Sequence, residues 1–172
     1  MTVDEEADFT RLFQEHYESV LRYAWRRVGP ADAPDIANET FRIAWEKYRE
    51  VPPDRKLPWL YGTARKLIGN LVKKEKRREG LFAVHDVGGG DDHAVAVVTR
   101  QAALTALNSL SESDRELVLL VAWEGLDLRE AAQVAGCSRA AAGMRLHRAR
   151  RRLEQFLSDH PQHQPRFGES AV

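Results

Sequence analysis

The chain has 172 residues, 26 basic and 26 acidic side chains, and a single cysteine. This length suits one ordinary domain or two small ones. The lone Cys137 excludes an internal disulfide and fits a reducing compartment, so we expect a cytoplasmic protein. The acidic start of the chain has no signal-peptide pattern. The longest apolar run, LVLLVAW, is too short to span a bilayer, so we expect no membrane partner.

The neutral total hides a segregation of charge along the chain. The net charge is −4 over residues 1–50, +6 over 51–80, −4 over 81–114, +3 over 115–155 and −1 over 156–172. Local potential, rather than net charge, decides whether a surface attracts phosphate. The two basic segments are therefore candidates for binding nucleic acid.

Three helices are predicted in the first 80 residues, because apolar residues recur at spacings of three and four. The apolar positions are Phe9, Leu12, Phe13, Val20, Leu21, Ala24 and Val28, then Ala37, Phe41, Ala44 and Tyr48, then Leu60, Ala64, Leu67 and Leu71. Gly29 and Pro30 are predicted to end the first helix. No alternation typical of strands competes, so the predicted fold class is all-α.

The glycine-rich, acidic segment HDVGGGDDH predicts a flexible linker between two small helical domains. We place the domains at residues 1–82 and 96–157, with the linker at 83–95 and a disordered tail at 158–172. In the second domain, SESD and DLRE are predicted capping boxes, and Ser138 is predicted to cap the last helix.

The end of the second domain has the pattern of a helix-turn-helix, with Gly136 at the turn. The inward stripe of the last helix is Ala142, Leu146, Ala149 and Leu153. The residues that then point outward are Arg139, Met144, His147, Arg148 and Arg151. Such a helix fits the DNA major groove, where arginine contacts guanine edges or phosphate. The competing interpretation is a short helical hairpin with solvated arginines.

The other basic segment, LPWLYGTARKLIGNLVKKEKRR, combines cationic residues with Trp59 and Tyr61 at its start. Its basic face comprises Arg65, Lys66, Lys73, Lys76 and Arg77. Bases of single-stranded nucleic acid stack on aromatic rings next to cationic side chains. For this segment alone, a core role for both aromatics and a solvated basic helix end is the simpler interpretation.

No catalytic, metal or cofactor site is predicted. Cys137 is better explained as a buried turn residue than as a redox thiol, because no charged partner is evident. His160 and His163 lack further ligands. No nucleophile–base pair or phosphate-binding glycine loop is present, so we expect no enzymatic activity and no cofactor.

The order of these motifs resembles the extracytoplasmic-function (ECF) sigma factors, the small two-domain class of the sigma-70 family. The segments similar to region two are FTRLFQEHYESVLRYAWRRVG, DAPDIANETFRIAW and PWLYGTARKLIGNLVKKEKRR, and LSESDRELVLLVAWEGLDLREAAQVAGCSRAAAGMRLHRARRRL is similar to region four. The chain departs from the usual pattern at Asn38, Lys66, Asn70 and AAAGMR, whereas RLHRAR is intact.

The resemblance implies a factor that binds core RNA polymerase and directs it to promoters, joining the nucleoid in the holoenzyme. Region two would bind the clamp helices of the largest subunit and the minus-ten element, and region four the flap of the second-largest subunit and the minus-thirty-five element. An anti-sigma factor is a further candidate partner.

Matched positions imply three sets of functional residues. The polymerase-binding residues would be Asp35, Asn38, Glu39, Phe41 and Trp45. The minus-ten residues would be Trp59, Tyr61, Arg65, Lys66, Asn70, Lys73, Lys74 and Arg77. The minus-thirty-five residues would be Ser138, Arg139, Ala141, Met144, Arg145, His147 and Arg148.

Two other functions are open from the sequence. One is a stand-alone helix-turn-helix regulator whose first 80 residues sense a signal or form a dimer. The other is a helical adaptor for protein interactions, whose basic faces have no nucleic-acid role. Binding to core polymerase without DNA separates the first from a sigma factor, and salt-dependent DNA affinity separates the second.

Overall fold

The computed structural model describes residues 3–75 and 94–159, and these are helical apart from short connections. The helices are α1 (Val3–Glu46), α2 (Lys56–Glu75), α3 (Ala94–Asn108), α4 (Glu112–Ala122), α5 (Leu128–Ala135) and α6 (Arg139–Asp159), with one 3-10 turn (Tyr48–Glu50). The all-α fold class predicted from the sequence is confirmed.

Two helices extend slightly beyond the predicted domain limits, which stay a prediction. Residues 94 and 95, which we assigned to the linker, lie in α3, and Ser158 and Asp159, which we assigned to the tail, lie in α6. Helix α6 continues because residues 156 and 157 still have partly buried side chains. The rest of the predicted linker from residue 83 and of the predicted tail lies outside the described residues.

Gly29 divides α1 into two arms. Its backbone angles, φ 80° and ψ 177°, are not helical and lie where a side chain would be strained. Pro30 follows directly, so the chain changes direction there and the second arm packs beside the first. The predicted end of the first helix at Gly29–Pro30 is thereby confirmed.

The two arms of α1 and helix α2 form the core of the first domain. Leu12, Val20 and Leu60 are fully buried, as the sequence periodicity predicts. Two predicted core positions of α2, Leu67 and Leu71, are only half-buried, and other α2 side chains are buried instead. Tyr61, Ile68 and Val72 fill those places. The buried face of α2 is rotated because α2 packs against α5 as well as α1.

Helices α4, α5 and α6 pack together in the second domain, and α3 packs against α6. Asp127 and Glu130 form the predicted capping box of α5, with reciprocal hydrogen bonds of 2.8 and 3.0 Å. At α4 only half of the predicted box forms, since Ser111 accepts a hydrogen bond from the Asp114 N–H but the Asp114 side chain does not accept one from the Ser111 N–H. The Asp114 carboxylate instead lies near arginines of α6.

Candidate functional site

The helix-turn-helix is built from α5 and α6 around one glycine. Gly136 ends α5 with φ at 71°, a left-handed conformation that glycine adopts without strain. The N–H of Cys137 donates to the Ala132 carbonyl at 3.0 Å, which closes the turn. Ser138 caps α6 as predicted, because its Oγ accepts from the Ala141 N–H at 3.1 Å.

The outer face of α6 forms the candidate duplex-binding surface. Ala142 and Ala149 are fully buried, so the predicted inward stripe is confirmed. One open groove is lined by Ala141, Gly143, Met144, Arg145, His147 and Arg148. The predicted duplex-contacting residues Ser138 and Arg139 are exposed at the start of the same helix. Met144, with 67% of its surface exposed, shares this groove with Arg145 and Arg148.

A second candidate surface runs along α2. Trp59, Lys66, Asn70 and Lys73 follow one another at spacings of seven, four and three residues, which puts them on one side of the helix. Trp59 is half-buried, whereas the other three are exposed. Lys74 is exposed and Arg65 half-buried on the flanks, and Arg77 lies outside the described residues. The described face is therefore basic and carries one partly accessible aromatic ring.

Tyr61 does not share that face. Its side chain is 2% exposed and stacks on Tyr23 of α1, with ring centroids 4.7 Å apart. Burial raises the pKa of Tyr61 well above the ordinary value of 10.0, with a smaller contribution from the charge of Glu124. In this arrangement Tyr61 is inaccessible to a DNA base, so its predicted contact requires the structure to open.

The predicted polymerase-binding residues lie on the second arm of α1. Asp35, Asn38 and Trp45 are exposed, and Glu39 is partly exposed on the same side of the helix. Phe41 is 3% exposed and belongs to the core. Phe41 can therefore support that surface from below, whereas the other four can touch a partner.

Arg42 lies in the middle of this surface, and the sequence reasoning overlooked it. Its guanidinium donates to both carboxylate oxygens of Glu39, at 2.7 and 2.6 Å, and also to Glu46. The hydrogen bond from Arg42 holds the pKa of Glu39 below its ordinary value. The i, i+3 and i, i+4 spacings of acid and base were the available sequence signal.

An exposed aromatic patch adjoins this surface, formed by Phe9 and Phe13 from the first arm and Trp45 from the second. Phe13 and Trp45 are 39% and 43% exposed, although periodicity assigned Phe13 to the core. Phe9 packs edge-on against Trp45 at 4.9 Å. Tyr17 donates to the Asn38 side-chain oxygen at 3.1 Å, which ties the patch to the predicted polymerase-binding residues.

Two other kinds of site are absent from the described part of the chain. In residues 3–75 and 94–159, no three or more histidine, cysteine, aspartate or glutamate side chains cluster as metal ligands do. Within the same ranges, no helix combines the length and apolarity that crossing a membrane requires.

Comparison with family models identifies the chain. The model described as Sigma-70 region 2 matches residues 12–78, and the model described as Sigma-70, region 4 matches residues 100–153. The chain belongs to the sigma-70 family of RNA polymerase sigma factors, in its ECF class, whose members are non-catalytic factors for promoter-specific transcription initiation.

Individual relatives agree with this assignment. The chain is 28% identical to the RNA polymerase sigma factor NccH of Alcaligenes xylosoxydans xylosoxydans, over 87% of this chain and 86% of NccH. It is 30% identical to the ECF RNA polymerase sigma factor BldN of Streptomyces coelicolor, over 90% of this chain and 62% of BldN.

Solved structures share the fold. The sigma factor RpoE of Bartonella quintana, in complex with the anti-sigma factor NepR, gives a TM-score of 0.69 at 23% identity, over 88% of this chain and 97% of RpoE. CnrH, in complex with the cytosolic domain of CnrY, gives 0.62 at 24% identity, over 90% of each chain. At these identities the likeness concerns the fold alone.

Proposed function

We propose that this chain binds core RNA polymerase and carries two promoter-reading surfaces, one for each element. Helix α6 reads the minus-thirty-five element in the major groove, and the basic side of α2 binds the minus-ten strand. The observation that carries the proposal is the groove of α6, which brings five of the seven predicted minus-thirty-five residues together on an exposed helix of a helix-turn-helix.

The polymerase contact is assigned to the second arm of α1. Asp35, Glu39 and Trp45 combine carboxylates with an exposed indole on one helix side, and the aromatic patch extends that surface onto the first arm. Exposed aromatics rimmed by charge are characteristic of protein interfaces. In this function the chain works in the cytoplasm, at the nucleoid.

An anti-sigma protein is a further partner in this proposal. The RpoE and CnrH structures, which share the fold, were solved with NepR and with the cytosolic domain of CnrY. A partner of this kind would compete with core polymerase for the chain. The test is to purify the chain from its source cell together with any protein bound to it. The bound protein is then tested for competition with core polymerase for binding to the chain.

Run-off transcription tests the main proposal. Purified chain is added to core polymerase and a library of promoter fragments, and transcripts are sequenced to find the selected elements. Specific starts that need both the chain and the core support it. Core binding is measured separately without DNA, since a stand-alone helix-turn-helix regulator would bind DNA but not core polymerase.

A further inference from the structure

The centre of the outer face of α6 is apolar. Ala142 and Ala149 are fully buried on the inner side of the helix, and Met144 lies nearly opposite them. The Met144 side chain is 67% exposed. Ala140, one turn before Met144 on the same face, is exposed as well. The side chains that point straight away from the domain at the start of α6 are therefore apolar.

Hydrogen-bonding side chains surround this apolar centre. His147 and Arg148 are exposed one turn after Met144, at spacings of three and four residues. Arg145 is half-buried on the flank of the same groove. Arg148 leans towards the second domain, since its guanidinium lies 3.9 Å from the carboxylate of Asp114. The groove thus has cationic and polar groups at its edge and carbon atoms at its centre.

The major groove of DNA offers one apolar group that matches such a centre. Every base pair presents hydrogen-bond donors or acceptors there, and thymine adds a C5-methyl group beside its O4 acceptor. Alanine has no polar side-chain atom, and the thioether of methionine is only a weak acceptor. Methionine is also flexible, so its side chain can adapt to the position of a methyl group. Contact between the two removes apolar surface from water, which is favourable.

We propose that Met144 is a specificity-determining residue that recognises the C5-methyl group of a thymine in the minus-thirty-five element. The inference rests on the proposed function, because it requires α6 to lie in the major groove with the start of the helix at the base edges. The short side chains of Ala140 and Ala141 allow that close approach. Because the methyl group lies on one strand only, Met144 distinguishes T·A from A·T as well as from both G·C orientations.

Deoxyuridine substitution isolates the methyl group, because uracil differs from thymine only in lacking it. Holoenzyme made from the full chain and core polymerase first selects minus-thirty-five elements from a randomised promoter library. Each thymine of the selected element is then replaced singly by deoxyuridine, and the affinity of the holoenzyme for the promoter is measured at fixed salt. We expect the replacement at one thymine to weaken wild-type binding about fourfold, which corresponds to one buried carbon group.

Met144→Ala is the test variant, and Met144→Leu is its matched control. Met144→Ala should bind the thymine and deoxyuridine promoters equally well, because the methyl group no longer has an apolar partner. Met144→Leu keeps an apolar side chain of similar volume and should keep most of the difference between the two promoters. Both variants should melt like the wild type, since residue 144 is largely exposed.

Cytosine with and without a 5-methyl group provides the converse test at the same position. The methyl group of 5-methylcytosine occupies the ring position that it has in thymine, but the hydrogen-bonding groups are those of cytosine. Wild-type holoenzyme should therefore bind the 5-methylcytosine promoter more tightly than the cytosine promoter. Met144→Ala should bind these two promoters equally.

Three results would overturn the role of Met144. The first is a selected element with no thymine that responds to deoxyuridine, and the second is an equal response in wild type and Met144→Ala. The third is weaker binding of Met144→Ala to core polymerase without DNA, since Met144 would then contact protein. A selected element that ignores deoxyuridine leaves the proposed function intact, whereas failure of the holoenzyme to select any minus-thirty-five element overturns both.

Discussion

The guanidinium of Arg148 on α6 lies 3.9 Å from the carboxylate of Asp114, which is almost fully buried at the start of α4. The same carboxylate lies 3.8 Å from Arg152. Asp114 therefore faces two arginines of α6 rather than the backbone of its own helix. Arg148 remains 63% exposed, so it can contact DNA from a position that α4 helps to set.

Replacement of Arg148 by alanine should lower transcription from every promoter tested. We expect Arg148 to contact phosphate, and loss of a phosphate contact weakens binding to all sequences alike and lowers the salt slope by about one unit. His147→Ala should instead change the preferred base at one or two minus-thirty-five positions. Transcription selection over randomised minus-thirty-five elements measures both effects.

The matched control for Arg148→Ala is Arg150→Ala. Arg150 is exposed, and its position two residues along α6 places it about half a turn away from the groove. If Arg150→Ala lowers output as much as Arg148→Ala, general charge rather than the groove accounts for DNA binding. If Arg148→Ala and His147→Ala both keep the wild-type transcript yield and base preference, the role assigned to α6 is contradicted.

Charge reversal at Asp35 and Glu39 should weaken binding to core polymerase by about tenfold, because both carboxylates lie on the proposed contact surface. The fold should persist, since Asp35 is exposed and the Glu39–Arg42 pair is solvated. Affinity is measured with labelled chain and core enzyme, alongside a thermal melt. The control reverses Glu50 and Asp54, also exposed and four residues apart. If the variant reversed at Asp35 and Glu39 melts like the wild type and binds core polymerase with undiminished affinity, the proposed polymerase-binding surface is wrong.

Two neighbouring residues separate core from interface on the first arm of α1. Leu12 is fully buried, so Leu12→Ala should reduce the free energy of unfolding by about 3 kcal/mol. Phe13 is 39% exposed and packs mainly on Tyr17 and Phe41, so Phe13→Ala should cost only about 1 kcal/mol. Urea unfolding measures both values. At temperatures where both variants are folded, only Phe13→Ala should lower the affinity for core polymerase. If the two variants lose equal free energy of unfolding, Phe13 belongs to the hydrophobic core instead.

Local patterns were sufficient to predict the helices and the turn. Gly29, Gly136 and the Asp127–Glu130 box act through bonds within a few residues, and all three occur as the sequence indicated. The inward stripe of α6 was also predictable, since Ala142 and Ala149 pack within one small domain.

Contacts between distant segments were not predictable by the same means. Arg26 and Glu124 are 98 residues apart, and each is an ordinary surface residue by periodicity alone. Their pairing buries Tyr61 with them, so an aromatic that suited a DNA surface lies inside the molecule. Phe13 was misjudged for a related reason. It packs on Tyr17 of its own arm and on the buried Phe41 of the other arm, yet it lies at the edge of that core and stays 39% exposed.

Acidification should remove the contribution of Glu116 to stability. Burial alone would raise the pKa of Glu116, but the charge of Arg27 and hydrogen bonds from Arg27 and Tyr23 outweigh burial, and Arg65 on α2 adds to the effect. The pKa is therefore held below the ordinary value of 4.5. A carboxyl with a lowered folded-state pKa stabilises the fold fully above its ordinary pKa, and that stabilisation is lost as the pH falls through the folded-state value.

Glu116→Gln isolates this effect because glutamine does not titrate. The difference in free energy of unfolding between wild type and Glu116→Gln should be largest near about pH 7 and should shrink below about pH 4.5. Urea unfolding at a series of pH values measures the difference, and Glu15→Gln, at an exposed position, serves as the control with a small difference throughout. A difference for Glu116→Gln that stays constant down to about pH 3 would show that the carboxylate charge does not stabilise the interdomain contact.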